Sequence, residues 1–218
     1  MSSSSIHLRL DVADLEALPP RPRDGWTRQT VPLFQLPLAG KVGSDAFVTG
    51  TNAIPLRSGS VDSIELGPLL EFILDEATLV RECARVLRAG GTLRGRVPNA
   101  RGFGAFDSIN VMRYARDVIG RGPALPELAE SGWRRHYAGG EVASLLHESG
   151  FEEIEIASVG LLGSEMKMGW HLLGRWVRGS TEPLNRPRSQ SWPEGGMPAP
   201  ANWTIGSTLL FQARKTSQ

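Results

Sequence analysis

The chain has little cysteine, no long run of one charge sign and no long apolar segment, and each lack removes a class of protein. A single cysteine, Cys83, in 218 residues excludes an intramolecular disulfide and a multi-cysteine zinc site. Lysine and arginine number 24 against 23 aspartates and glutamates, a net charge of +1. That balance gives no support to a broad basic face, so no nucleic-acid partner is expected. No uninterrupted apolar run approaches the roughly 18 residues of a membrane span. The start, MSSSSIHLRLDV, also lacks the basic and apolar regions of a secretory signal. A cytoplasmic protein without a membrane partner is the expectation. No internal repeat is present.

What the chain does have is 25 glycines and 15 prolines, an excess that implies many loops. Its length suffices to bury roughly 70% of the unfolded surface without a metal or disulfide. One domain over residues 1–218 is expected, with a helical insertion at 100–139 and a Pro/Gly-rich loop at 179–200.

Apolar periodicity orders the elements. IHLRL (6–10) alternates as a short strand, and 13–26 reads as a long connection. VPLFQL (31–36) reads as a second strand, confined by Pro32 to an edge or a strand start. DAFVT (45–49) and VDSIEL (61–66) read as the third and fourth. The clearest helix runs from Asp75, a good N-cap, to Leu87, with Leu79, Val80, Cys83, Val86 and Leu87 on one stripe. Gly90-Gly91 is the expected helix stop, and TLRGRV (92–97) the next strand. Helices follow at 106–119, 140–151 and 165–178, and strands at 152–159 and 202–215. Alternating strands and helices predict an α/β fold, with ligands beyond the carboxyl ends of the strands, after Leu10, Thr49, Leu66 and Val97.

Three separated pieces of this order resemble one family. EATLVRECARVLRAGGTLRGRVPN (76–99) is similar to a helix and strand of class I S-adenosylmethionine-dependent methyltransferases, of the short-loop, type 11-like kind. TNAIPLRSGSVDSIELGPLLEF (51–72) resembles the segment before it, and GWRRHYAGGEVASLLHESGFEEIEI (132–156) a later passage. The resemblance implies a Rossmann-like fold: a mostly parallel central sheet with helices on both faces and an antiparallel C-terminal strand. It further implies S-adenosylmethionine as cofactor and a small-molecule methyl acceptor.

The cofactor motif departs from that family. Its first strand runs into a glycine-rich turn, whose missing side chains let the backbone approach the cofactor. Here Arg9, Leu10 and Asp11 stand at those positions, and no glycine occurs between Met1 and Gly25. The acid that accepts from the ribose hydroxyls at the end of the second strand is replaced by Gln29, or by Gln35 within VPLFQL. A neutral amide forgoes the charge-assisted bond. Asn52, beside Ala53, stands where an aspartate contacts the adenine amino group, and Phe72 replaces the histidine after Glu71. Asp11 offers an alternative ribose acid. The cofactor-binding candidates are therefore Arg9, Leu10, Asp11, Gln29, Asn52, Ala53, Leu66 and Glu71.

Each candidate also has a plain structural reading. Glu71 is either a cofactor-orienting acid or general base, or a helix N-terminal acid. Asn99, at the mouth of the fifth strand, either lines the acceptor pocket or forms a turn. His136 and Tyr137, after Arg134-Arg135, either contact substrate or make a pre-helix turn in which Tyr137 packs. Cys83 and His7 read as structural. His147 and His171 have no partner at metal spacing, so no metal is expected. Trp170, Trp176, Trp192 and Trp203 form either an aromatic lid, a partner surface or packing against the sheet.

Two functions stay open. One is a methyltransferase acting on a small molecule with a degenerate cofactor loop, or an enzyme repurposed on that scaffold. The other is a catalytically silent methyltransferase-like binding or regulatory subunit, as a homodimer or with a partner protein.

Overall fold

In a computed structural model of the chain, the described residues are 5–12, 38–42, 45–49, 53–73, 75–101, 135–160 and 206–217. To these are added positions 111, 115, 120, 169–170, 173–174, 177–178, 192 and 196–197. Two compact units emerge. The first comprises residues 1–96, 140–155 and 211–218, and the second 97–139 and 156–210.

The elements run β1 (His7–Val12), β2 (Leu38–Val42), β3 (Asp45–Thr49), β4 (Val61–Leu66), a 3-10 turn (Leu70–Phe72) and α1 (Glu76–Val86). There follow β5 (Leu87–Pro98), α2 (Gly139–Glu148), β6 (Phe151–Val159) and β7 (Thr208–Lys215). The strands form one seven-stranded sheet in the order β3-β2-β1-β4-β5-β7-β6.

Strand alternation builds the core of the first unit. β1 and β5 both pair in parallel with β4, which aligns Leu8 with Ile64 and Leu93, and Leu10 with Leu66 and Gly95. The four leucines and one isoleucine of these rows are at most 1% exposed. Gly95 completes the second row because Phe211 of β7 lies on it. A Cβ at Gly95 would stand 2.6 Å from Phe211 Cζ. The intervening residues point to the other face, where Arg9, Glu65 and Arg94 form an in-register ion row. Arg9 Nη1 meets Glu65 Oε1 at 3.2 Å, and Arg94 Nη2 meets Glu65 Oε2 at 2.9 Å.

α1 starts as its sequence requires. The Asp75 carboxylate accepts from the Thr78 amide at 3.1 Å and from its hydroxyl at 2.6 Å, which lowers the Asp75 pKa. Leu79, Val80, Cys83 and Val86 are buried, as the apolar stripe predicts.

Its end differs from expectation. The helix closes at Val86, and Leu87 already has extended angles (φ −67°, ψ 138°). Gly90-Gly91 therefore does not stop the helix but builds a bulge within β5. Val61 faces Leu87 while Ser63 faces Thr92, so surplus residues must loop out. Gly90 takes a φ of +70°, and a Cβ at Gly91 would lie 2.9 Å from the Arg88 carbonyl oxygen. Glycine is needed here for the bulge, with Arg88 Nη1 anchored on Asp62 Oδ1 at 2.7 Å.

The N-terminal side also differs. The segment expected as the second strand, 31–36, lies outside the described residues. β2 occurs at Leu38–Val42 and is antiparallel to both β1 and β3. At the C-terminal side, Lys215 Nζ donates to the Leu87 carbonyl at 2.7 Å and the Thr216 amide to the Gly150 carbonyl at 3.1 Å. The end of β7 thus meets the starts of β5 and β6, so β7 is the expected antiparallel C-terminal strand.

In the second unit, Pro98 leads into Asn99, which pairs with Tyr137 in an isolated parallel bridge.

Candidate functional site

Strand direction decides which residues can gather. β1, β3 and β4 run the same way, so Val12, Thr49 and Leu66 end at one edge of the sheet in the first unit. β2 begins at that edge, since Leu38 faces both Val12 and Thr49. Its own end, Val42, lies four residues down the sheet, about 14 Å away at the usual strand rise. A group at the end of β2 is therefore remote from the edge where the resemblance puts the ribose. Residues entering β2, rather than leaving it, stand there.

The residues at the glycine-turn positions are ladder residues. Arg9, Leu10 and Asp11 face Lys41, Gly40 and Ala39 of β2, and Arg9 and Leu10 also face Glu65 and Leu66 of β4. Leu10 is 0% exposed, and its carbonyl accepts from the Gly67 amide at 2.8 Å. The Arg9 guanidinium is drawn onto Glu65. Leu66 is buried in the core. No turn forms at residues 9–11, so a ligand has no bare backbone to approach there.

Beyond β4, the 3-10 turn carries Glu71, 2% exposed. Ala53, after β3, is exposed. Gln29, Gln35 and Asn52 lie outside the described residues, as does the side chain of Asp11.

Two residues that sequence reasoning did not single out hold this loop region. Arg85 grips Glu82 through two bonds of 2.9 Å. It also donates to the carbonyls of Ile54 and Leu56, each at 2.9 Å, while Glu82 Oε2 accepts from the Ile54 amide at 3.1 Å. The Arg85 hydrogen bonds, followed by that of the Ile54 amide, hold the Glu82 carboxyl below its ordinary pKa. The clamp fixes the chain that links β3 to β4. Its signal in the sequence was the Glu-x-x-Arg spacing on the polar side of the helix.

Asn99, His136 and Tyr137 belong to the second unit. Asn99 is 1% exposed. Its Nδ2 donates to the Gly206 carbonyl at 2.8 Å and to Ser158 Oγ at 3.4 Å, and its Oδ1 accepts from the Arg101 amide at 2.9 Å. The side chain knits three segments together. Tyr137 is 1% exposed, with the Arg135 guanidinium 4.8 Å from its ring centroid. Its backbone accepts from Ala100 and donates to Pro98, each at 2.9 Å. His136 beside it is half-buried. Asn99 and Tyr137 are thus brought together by backbone pairing. Among the described residues, no group of three His, Cys, Asp or Glu can hold a metal.

The strand order, the antiparallel C-terminal strand and the flanking helices are those of a class I, Rossmann-like methyltransferase. The fold is methyltransferase-like. A family model described as a methyltransferase domain matches residues 36–94 of the chain. Solved structures similar to it include an S-adenosylmethionine-dependent methyltransferase of Thermotoga maritima, at 15% identity and a TM-score of 0.48, covering 77% of this chain and 62% of that one. Another, from Methanosarcina mazei, has 15% identity and a TM-score of 0.42, covering 78% and 66%. A third, from Mesorhizobium loti, has 16% identity and a TM-score of 0.40, covering 77% and 67%. The chain spans less than two thirds of the length of the first two of these. No curated protein sequence matches it.

Proposed function

We propose that the chain is a methyltransferase-like binding or regulatory protein, working as a homodimer or with a partner protein, in which strand structure has replaced the glycine turn of the cofactor seat. The observation that carries this reading is the pairing of Arg9, Leu10 and Asp11 into the β-ladder. A side chain or a neighbouring strand at those positions fills the space that S-adenosylmethionine takes in the family. The antiparallel β2 supports the same reading, because the end of this strand, Val42, lies away from the edge at which β1 and β4 finish. A cytoplasmic location fits this reading.

Thermal melting with S-adenosylmethionine and with S-adenosylhomocysteine tests it. Binding at 100 times the dissociation constant adds about 2.7 kcal/mol to stability. The expected result is an unchanged melting temperature at millimolar cofactor. A clear rise would overturn the reading.

One observation favours the alternative, a small-molecule methyltransferase. Glu71 is a buried carboxylate directly after β4, inside the segment that matches the methyltransferase domain. In that reading Glu71 orients the cofactor, and its conservative replacement Glu71→Gln abolishes a cofactor-induced melting shift while leaving the apo melting temperature little changed.

A further inference from the structure

The charge of the chain is divided unevenly. The second unit holds eleven of the lysines and arginines against seven acids, whereas the first holds thirteen against sixteen. The net +1 therefore conceals a basic unit and an acidic one. The basic unit also carries five of the six tryptophans.

Residues 169–170, 173–174 and 177–178 of this unit are helical. On an α-helix Trp170, Leu173 and Val177 fall at i, i+3 and i+7 and share one face. Trp170 is 70% exposed and Val177 78%, and Leu173 is half-buried between them. Beside them the exposed Arg178 reaches back over Gly174, with Nη2 3.3 Å from where a Cβ there would be. The sequence adds Lys167 and Arg175, and no acid occurs between 166 and 181. Exposed tryptophan and valine on one helical face, with Arg178 beside them and a sequence rich in cations around them, match the interfacial zone of an anionic bilayer. The apolar side chains enter the headgroup boundary and the cations meet phosphate. The positive charge of this segment opposes a second copy on the same face. A valine beside an indole offers nucleic acid few hydrogen bonds.

We propose that the second unit docks on anionic lipid surfaces through the Trp170–Leu173–Val177 face. No helix among the described residues is long and apolar enough to cross a membrane, so the contact lies on the surface. It revises the expectation of no membrane partner and does not depend on cofactor binding.

Cosedimentation of the full chain tests the proposal, using vesicles of phosphatidylcholine alone and of equal parts phosphatidylcholine and phosphatidylglycerol. Binding is expected to the mixed vesicles, with a blue shift in tryptophan fluorescence, and not to phosphatidylcholine alone. Arg178→Ser should weaken it about fivefold, corresponding to ~1 kcal/mol per basic residue at such a surface. Trp170→Ser with Val177→Ser should abolish it with an unchanged melting temperature. Absence of binding to the mixed vesicles would overturn the proposal, as would binding indifferent to Trp170→Ser with Val177→Ser. A vesicle-free dimer dissolved by that pair would assign the face to a second copy, and its capture by an acidic protein alone would assign it to that class of partner. Either result overturns the lipid assignment.

Discussion

The Gly67 amide donates to the Leu10 carbonyl at 2.8 Å, tying the exit of β4 to β1. In a glycine-turn fold this stretch of β1 would leave the sheet and turn toward a ligand. Here β1 continues to Val12 in pairing with β2. On the proposed reading, the obstacle to the cofactor is therefore one of strand pairing as well as of side-chain bulk. Replacing Arg9 and Asp11 together with glycine should not create a cofactor-dependent melting shift. It should lower stability by about 1–2 kcal/mol, from strand glycine and the lost Arg9–Glu65 pair. Urea unfolding and melting with cofactor read both effects.

Gly95→Ala pushes a methyl into the Phe211 ring at a point where Leu66 blocks retreat. Overpacking of this kind costs about 1–3 kcal/mol. The cost should shrink in a Phe211→Ala background, because the two sites share one contact. A double-mutant cycle by denaturant unfolding measures it.

The Glu82–Arg85 clamp predicts a pH dependence. The Glu82 carboxyl ionises more readily in the folded chain than its ordinary value of 4.5. A group with a depressed folded pKa contributes stability above its unfolded pKa and loses it as pH falls through the folded one. The stability gap between wild type and Glu82→Gln should therefore be full at neutral pH and close below about pH 4.5, the unfolded value. Arg85→Ala should cost roughly 2 kcal/mol at pH 7, because the Leu56 carbonyl loses its Arg85 donor and the Ile54 carbonyl keeps only the Leu56 amide.

Cys83 is 0% exposed, and burial pushes its thiol pKa upward. A buried thiol held protonated is inert. Disulfide reagents should label no thiol in the native chain and one per chain in denaturant.

Asn99 separates structural from ligand-binding roles. Asn99→Ala removes a donor to the Gly206 carbonyl and an acceptor for the Arg101 amide, both in a buried setting. A loss of about 2–3 kcal/mol is expected. Asn99→Asp should cost a similar amount, since it keeps the acceptor and loses the donor. A variant that melts like wild type would return Asn99 to the acceptor-pocket reading.

Much of the first unit was legible because its signals are local. Asp75 followed by an apolar stripe makes a helix start wherever it occurs, and VDSIEL alternates as a half-buried strand. The Gly90-Gly91 pair was legible as glycine that something needed. What needed it was the offset between β4 and β5, a relation to Asp62 and Ser63 that no local window contains. The same limit applied to Asn99, whose bonds reach Ser158 and Gly206, and to the Arg85 clamp on Ile54 and Leu56.

The sequence by itself determined the strands at 45–49 and 61–66, the start and buried stripe of α1, the lone cysteine and the missing glycine at positions 9–11. These depend on residue type and short spacing alone. Only the tertiary structure decided that β2 runs against β1, that residues 9–11 are held in a ladder, and that Trp170 and Val177 face outward. Strand direction and exposure are set by partners distant in the chain, and the free energy of pairing and burial belongs to those partners jointly.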